Sequence, residues 1–358
     1  MNNSSTSEAW MDRIAAATIA CLSLPALAVY ILVVIVIANN PQKFANNSYY
    51  TLLLSLALSD SVLLSLYGFY AVPCTLLQEN IFGANFDILI GVIFNIAYFS
   101  CLPCIAAIGV NRYFAVCQFV SYDSTFNRRN TRIVLAIVWA IGIFFGSGQA
   151  FPCCTLRFSH YNYSFAYDMT NWGNVYFQWF DRFLTVCSFF VIFFCYVAII
   201  VKRPTKFGST ENRLNTLQQT KRKNVERNLA LQFGVIVLIL IFAGLSFTIV
   251  PELTANRWFM LVASVLYIVN NGCGPFVYLI FNSTIRSHFL QLYCRSTIEA
   301  DGKPAGLMKL GAAVKVINTA RRLSNKDNNK VKELRASRRN TTLTRRETVI
   351  RRLTVNRQ

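Results

Sequence analysis

The stretch Phe86-Asp-Ile-Leu-Ile-Gly-Val-Ile-Phe-Asn-Ile-Ala-Tyr-Phe-Ser-Cys-Leu-Pro-Cys-Ile-Ala-Ala-Ile-Gly-Val110 decides the fold. Apart from Asp87 at its edge and Asn95 inside, it has no charged or amide side chain. Rising about 1.5 Å per residue as a helix, it is long enough to cross the ~30 Å hydrocarbon core of a bilayer. Six more windows read the same way: Ile14 to Ile37, Tyr49 to Val72, Ile133 to Phe151, Phe183 to Val201, Leu229 to Val250 and Trp258 to Phe281. A buried soluble helix produces one or two such runs, not a series of them separated by polar loops. The expected fold is therefore an all-α membrane protein, a seven-transmembrane helix bundle.

Composition agrees once the charges are located. The chain has 358 residues, 54% of them hydrophobic and only 14% charged, with a mean hydropathy of +0.40. A soluble surface needs more charge than that. The formal net charge is +19, but about half of the Lys and Arg lie beyond Arg286, and most of the rest sit in two loops. The 11 cysteines lie largely in apolar runs, where Cys behaves as a small hydrophobe.

Those loops set the orientation. Arg112, Arg128, Arg129 and Arg132 follow the third window, and Lys202, Arg203, Lys206, Arg213, Lys221, Arg222, Lys223 and Arg227 follow the fifth. Basic residues in short loops stay cytoplasmic, so the N-terminus is expected outside and the C-terminus inside, in a multi-pass plasma-membrane protein. The first window is too long for a cleavable signal and reads as a signal anchor. Asn2, Asn3 and Asn162 fall in outward-facing sequons and are candidate glycosylation sites. The expected divisions are an extracellular N-terminus over 1–13, the bundle over 14–282, an amphipathic helix over 283–294 and a basic, disordered cytoplasmic tail over 295–358.

Polar residues inside a span cost ~2.5–3.5 kcal/mol on insertion scales and default to a functional reading. Asp60 is the main case, a packing hydrogen bond or a polar switch with Asn270 and Asn271 as expected partners. Pro275 follows them and frees a carbonyl. Past the seventh window, Phe281, Ile285, Phe289 and Leu292 recur every three or four residues. That describes a short amphipathic inner-leaflet eighth helix, with Cys294 placed for palmitoylation. The alternative is a simple extension of the seventh span.

In order along the chain, Leu56-Ala-Leu-Ser-Asp60, Asn111-Arg112-Tyr113, Trp139, Tyr196 and Pro275-Phe-Val-Tyr278 resemble the conserved-position motifs of rhodopsin-like G-protein-coupled receptors. Gly68-Phe-Tyr-Ala-Val-Pro73, and Asn111 leading into Tyr122-Asp-Ser-Thr-Phe126, are similar to nematode serpentine chemoreceptors of class X. The resemblance implies a receptor that binds an extracellular ligand and activates a heterotrimeric G protein. Arg112 would engage the G protein, with Asn111 and Tyr113 beside it and Tyr196 and Tyr278 stabilising the open state. Because Asn111 replaces the usual Asp, a weaker resting lock and some constitutive activity are expected. Departures from the family pattern are clear as well. Tyr30 stands where the first-helix Asn belongs, Gly274 replaces the Asn before Pro275, and the sixth window lacks Cys-Trp-x-Pro. With Cys101 and Gly274 in place of polar ligands, a sodium site at Asp60 is in doubt. Asp87 lies near the place of the usual third-helix Cys, so Cys74 with Cys153 or Cys154 becomes the disulfide candidate.

The resemblance also narrows the ligand. Ile268 lies where a retinal-binding Lys would be, and Phe94 where amine receptors carry Asp. Phe94, Asn95, Tyr98, Phe99 and Gln149, with Tyr176 and Phe177, outline an aromatic pocket suited to a small neutral odorant-like molecule or to a peptide, although plain helix packing also accounts for them. No cofactor or metal is expected, and His160 and His288 form no catalytic constellation. In the tail, Ser324, Thr341, Thr348 and Thr354 each follow paired arginines by one residue, which suits a basophilic kinase and then arrestin. The same charges suit anionic membrane lipid, and nucleic acid is an unsuitable partner for a tethered tail. A non-signalling seven-helix partner, and less so a transporter or channel, stay open as alternatives.

Overall fold

The computed structural model describes residues 3–44, 47–201, 234–235, 237–246, 256–282 and 285–290. In chain order the helices are α1 (Asn3–Ala38), α2 (Pro41–Phe44), α3 (Ser48–Ser65), α4 (Val72–Leu77), α5 (Ala84–Cys117), α6 (Phe119–Thr125), α7 (Arg128–Ser147) and α8 (Gly173–Val201). They continue with α9 (Val237–Ser246) and α10 (Arg257–Phe281). A π-helical turn, Leu66–Ala71, joins α3 to α4 just ahead of Pro73, so the two form one continuous span. Proline cannot donate to the helical ladder, and a π turn is one way a helix absorbs the mismatch.

Among the described residues six helices are long and apolar enough to cross a membrane, and α9 occupies the middle of the remaining window. The architecture is the expected seven-helix bundle. Several helices extend beyond the apolar windows. α1 begins at Asn3 rather than near Ile14, and α8 begins at Gly173 rather than Phe183. Hydropathy marks only the stretch that meets hydrocarbon, whereas the backbone ladder continues until something caps it.

The bundle is built around α5, which packs on α3, α7 and α8. On α7, Gly142 and Gly146 sit one turn apart against Ile96 and Ser100 of α5; a Cβ at Gly146 would lie 2.6 Å from the Ile96 backbone nitrogen. In lipid, helices associate through close packing of this kind rather than by water exclusion. The Trp139 indole nitrogen donates to Ser55 Oγ at 2.9 Å and ties α7 to α3. The outward faces of α8 carry Phe183, Phe190, Phe193 and Phe194, all exposed, as suits side chains that meet lipid.

Between α7 and α8 the chain forms an antiparallel hairpin, β1 (Leu156–Ser159) and β2 (Ser164–Tyr167), with Leu156 opposite Tyr167. Its Leu156, Phe158, Tyr163 and Phe165 are all buried. Below, the two ends of the bundle are called the hairpin end and the Arg112 end. At the latter, residues 285–290 are helical. The Ile285 amide donates to Asn282 Oδ1 at 3.2 Å, Ile285 is buried, and His288 meets the Phe44 ring.

Candidate functional site

At the Arg112 end, α5 carries Asn111 and Arg112, both buried. The guanidinium donates to Asn111 Oδ1 and lies over the Tyr49 ring of α3, 4.0 Å from carbon to centroid. Asn111 in turn donates to Ser48 Oγ at 3.0 Å and to the Tyr122 hydroxyl at 3.3 Å, and those two oxygens are 2.8 Å apart. A single amide thus connects the arginine to α3 and α6. Tyr196 of α8 faces the chain just ahead of α9: a Cβ at Gly234 would lie 2.7 Å from its hydroxyl. Tyr278 is buried in α10, while Tyr113, the third residue of the triplet, accepts a hydrogen bond from Gln118 at 3.4 Å.

Toward mid-bundle, Asp60 does not pair with Asn270 or Asn271 as expected. The Tyr30 hydroxyl of α1 donates to Asp60 Oδ2 at 2.5 Å, and the Cys101 thiol to Oδ1 at 3.7 Å. Asn271 donates instead to its own helix at Tyr267 O, and the Asn270 carbonyl receives the Cys273 thiol. The reason is Gly274, one residue before Pro275. A Cβ there would lie 2.3 Å from the Tyr30 hydroxyl and 3.3 Å from that of Tyr278. Two departures from the usual receptor sequence therefore complement each other. Glycine on α10 opens the space that tyrosine on α1 fills, and the tyrosine hydroxyl reaches the carboxylate where helix-seven amides were expected to.

At the hairpin end, Phe94 and Tyr98 of α5 stand with Tyr267 of α10, centroids 5.9 and 6.3 Å from the Tyr267 ring. Phe165 of β2 stacks on Phe94 at 4.2 Å, so the hairpin closes over this group. The Tyr98 hydroxyl donates to Asp181 Oδ1 of α8 at 2.7 Å, with Thr185 Oγ1 at 3.4 Å from the same oxygen. Desolvation, and the Asp181 charge facing it, push the Tyr167 phenol of β2 well above its ordinary pKa. Of the other expected pocket residues, Phe99 points to Phe145 and Phe180 of α7 and α8 and belongs to helix packing. Tyr176 is exposed against Trp172. Asn95 and Gln149 are fully buried; the Asn95 side chain faces the Tyr167 hydroxyl, and among the described residues neither polar atom of the Gln149 side chain has a hydrogen-bond partner.

The expected bridge from Cys74 is not formed. Cys153 and Cys154 are bonded to each other, and Cys74 is a buried free thiol within α4. Neighbouring cysteines satisfy one another when the segment carrying them turns sharply, leaving no thiol for the bundle. Asn162 lies in the hairpin turn, where its amide donates to Ser159 Oγ. Asn3 is the first residue of α1. Asn2, Cys294, Ser324, Thr341, Thr348 and Thr354 lie outside the described residues.

Residues 21–282 match the family described as serpentine type 7TM GPCR chemoreceptor Srx. The chain belongs to that family. Among curated relatives, this Srx receptor is 26% identical over 270 residues to a serpentine receptor class X 45 of Caenorhabditis elegans, covering 70% of this chain and 73% of the relative. It is 26% identical to a somatostatin receptor type 5 of Bos taurus, covering 74% of this chain and 71% of that protein. Against a melatonin receptor type 1B-B of Danio rerio it is 23% identical, over 81% and 84% of the two chains. The fold matches the crystal structure of squid rhodopsin with a TM-score of 0.65 at 16% identity, covering 80% of this chain and 87% of that one. The Srx protein is thus a multi-pass membrane receptor, not an enzyme, that signals through a G protein in response to an extracellular ligand.

Sequence reading of this Srx receptor missed three charged groups. Asp181 lies two residues before the apolar window at Phe183, and because α8 starts eight residues earlier it stands about 12 Å along the helix. Asp12 and Arg257 likewise lie at the edges of apolar windows, two residues before Ile14 and one before Trp258. Arg257 Nη2 meets Asp12 Oδ1 at 2.7 Å, and the Tyr163 hydroxyl donates to the same oxygen at 2.5 Å. Arg257 also donates to the Tyr161 carbonyl at 2.8 Å and lies over the Tyr161 and Tyr163 rings. This clasp joins α1, α10 and the hairpin. Its only sequence signal is a single Asp and a single Arg, each at the edge of an apolar window.

Proposed function

We propose that this receptor sits in the plasma membrane with its N-terminus and hairpin outside, and that a small molecule binding among Phe94, Tyr98 and Tyr267 switches it. The ligand would favour an arrangement in which the inner ends of α8 and α9 part and Arg112 reaches the G protein. A ligand shifts such an equilibrium only by its differential affinity for the two states. The observation that carries this reading is the state of Arg112. It is buried at the inner mouth, where it donates to the Asn111 amide oxygen and lies over the Tyr49 ring, so that both hold it at rest. A cation–π contact of this kind is worth roughly 0.5–2 kcal/mol.

The same reading gives the flanking residues their roles. Asn111 positions Arg112, Tyr196 and Tyr278 support the open form, and Asp60 with Tyr30 couples α1 to α3 while Pro275 lets α10 bend beside them. The helical residues 285–290 lie along the inner leaflet, Cys294 beyond them is palmitoylated, and Asn2, Asn3 and Asn162 carry glycans. Ser324, Thr341, Thr348 and Thr354 are sites for a basophilic kinase, with arrestin as the reader of the phosphorylated tail. The test is G-protein activation in a reporter cell, normalised to surface expression, for wild type and Arg112→Ala. Basal and ligand-evoked activation are expected to fall by at least about tenfold in the variant. Equal activation in both would favour a non-signalling partner of another receptor.

A further inference from the structure

Asp181 is a carboxylate in the hairpin half of the bundle that the coupling machinery does not use. Two other acids there are already accounted for. Asp12 holds Arg257, and Asp87 is fully buried, accepting from the Tyr70 hydroxyl and the Asn80 amide. Asp181 differs from both. It keeps accessible surface, its hydrogen-bond partners are the hydroxyls of Tyr98 and Thr185, and among the described residues it forms no ion pair. The adjacent Arg182 lies over the Trp179 ring, and its charge also acts on the Asp181 carboxylate.

We propose that Asp181 is the counter-ion for a ligand that carries a protonated or quaternary amine on a small apolar or aromatic body. This rests on the receptor reading above and names the class of its ligand. A carboxylate in an apolar span is expensive unless a cation meets it. Tyr98 bonds to this one, and the Tyr98 ring leads on to those of Phe94 and Tyr267, a chain of faces that attract a cation in a desolvated site. The hydroxyls of Tyr98 and Thr185 orient the carboxylate and leave its second oxygen for the ligand. The hairpin limits ligand size, since Phe165 lies directly on Phe94, which disfavours a peptide. The buried Gln149 side chain, without a hydrogen-bond partner among the described residues and in the same half of the bundle, supplies a polar anchor for the remainder of such a molecule. The place of Phe94 therefore excludes a counter-ion on α5 but not an amine ligand, because the acid comes from α8.

The experiment is G-protein activation by the full chain in cells, using phenethylamine, hexylamine and their N-methylated and quaternary derivatives, each against the alcohol of the same skeleton. Wild type is expected to respond to at least one amine with a potency about 100-fold above that of the matched alcohol, as for a desolvated charge pair. In Asp181→Asn, which keeps the hydrogen-bond acceptor and removes the charge, that gap is expected to shrink to within about threefold at equal surface expression, and Asp181→Glu is expected to retain it. The inference is overturned if alcohols act as well as amines, if Asp181→Asn keeps the amine preference, or if no amine acts on a receptor whose basal coupling depends on Arg112. Loss of that Arg112 dependence would count against the receptor reading itself, separately from the ligand class.

Discussion

Arg257 and Arg112 are both buried guanidinium groups at opposite ends of one bundle, and their surroundings differ. Arg257 has a carboxylate at 2.7 Å, a backbone carbonyl and two tyrosine faces. Arg112 donates to the Asn111 amide oxygen and lies over the Tyr49 ring. A charge pair that is mostly desolvated fixes geometry, because separating it strands a charge. The Arg257 pair accordingly fastens hairpin, α1 and α10 together, whereas in the proposed function Arg112 is the group that switches.

The largest effect that would break this comparison lies at the clasp. Asp12→Ala strands Arg257 and is expected to destabilise the receptor by about 3 kcal/mol, seen as a lower thermal midpoint in detergent and reduced surface expression. A midpoint within a degree or so of wild type would mean that Arg257 is held well enough by the Tyr161 carbonyl and the rings. Next comes the fit between α1 and α10. Gly274→Ala drives a methyl into the Tyr30 hydroxyl and should cost about 1–3 kcal/mol. Adding Tyr30→Phe removes the clashing hydroxyl and should recover part of that loss, read by the same melting curves as a double-mutant cycle. Strict additivity of the two changes would show that Tyr30 and Gly274 are not coupled.

Much of this architecture was legible in the sequence because a bilayer imposes it. Apolar length gave the spans, and the ordered motifs around Asp60, Arg112 and Pro275 gave the receptor class. What hydropathy could not show was where the helices end, and Asp12, Asp181 and Arg257 all sit in that unreadable margin. The Tyr30–Gly274 match was hidden for a different reason. Each residue alone looked like a lost motif, and only their proximity in space makes the pair a substitute for one. Cys74 illustrates the converse error, since an outer cysteine does not need a distant partner when two others are neighbours in sequence. The aromatic positions divide by their neighbours: Phe94 and Tyr98 meet Tyr267, whereas Phe99 packs on Phe145 and Phe180.

The smallest expected effect is also the most direct test of the switching assignment. Asn111→Asp places a carboxylate beside Arg112 without changing side-chain size, so it replaces the amide contact with a charge pair like that of Arg257. Basal G-protein activation per receptor at the surface is expected to fall about threefold or more, equivalent to a bias of roughly 1 kcal/mol toward the resting state. Basal activation that is unchanged or higher in Asn111→Asp would contradict the account that a weak amide lock governs Arg112.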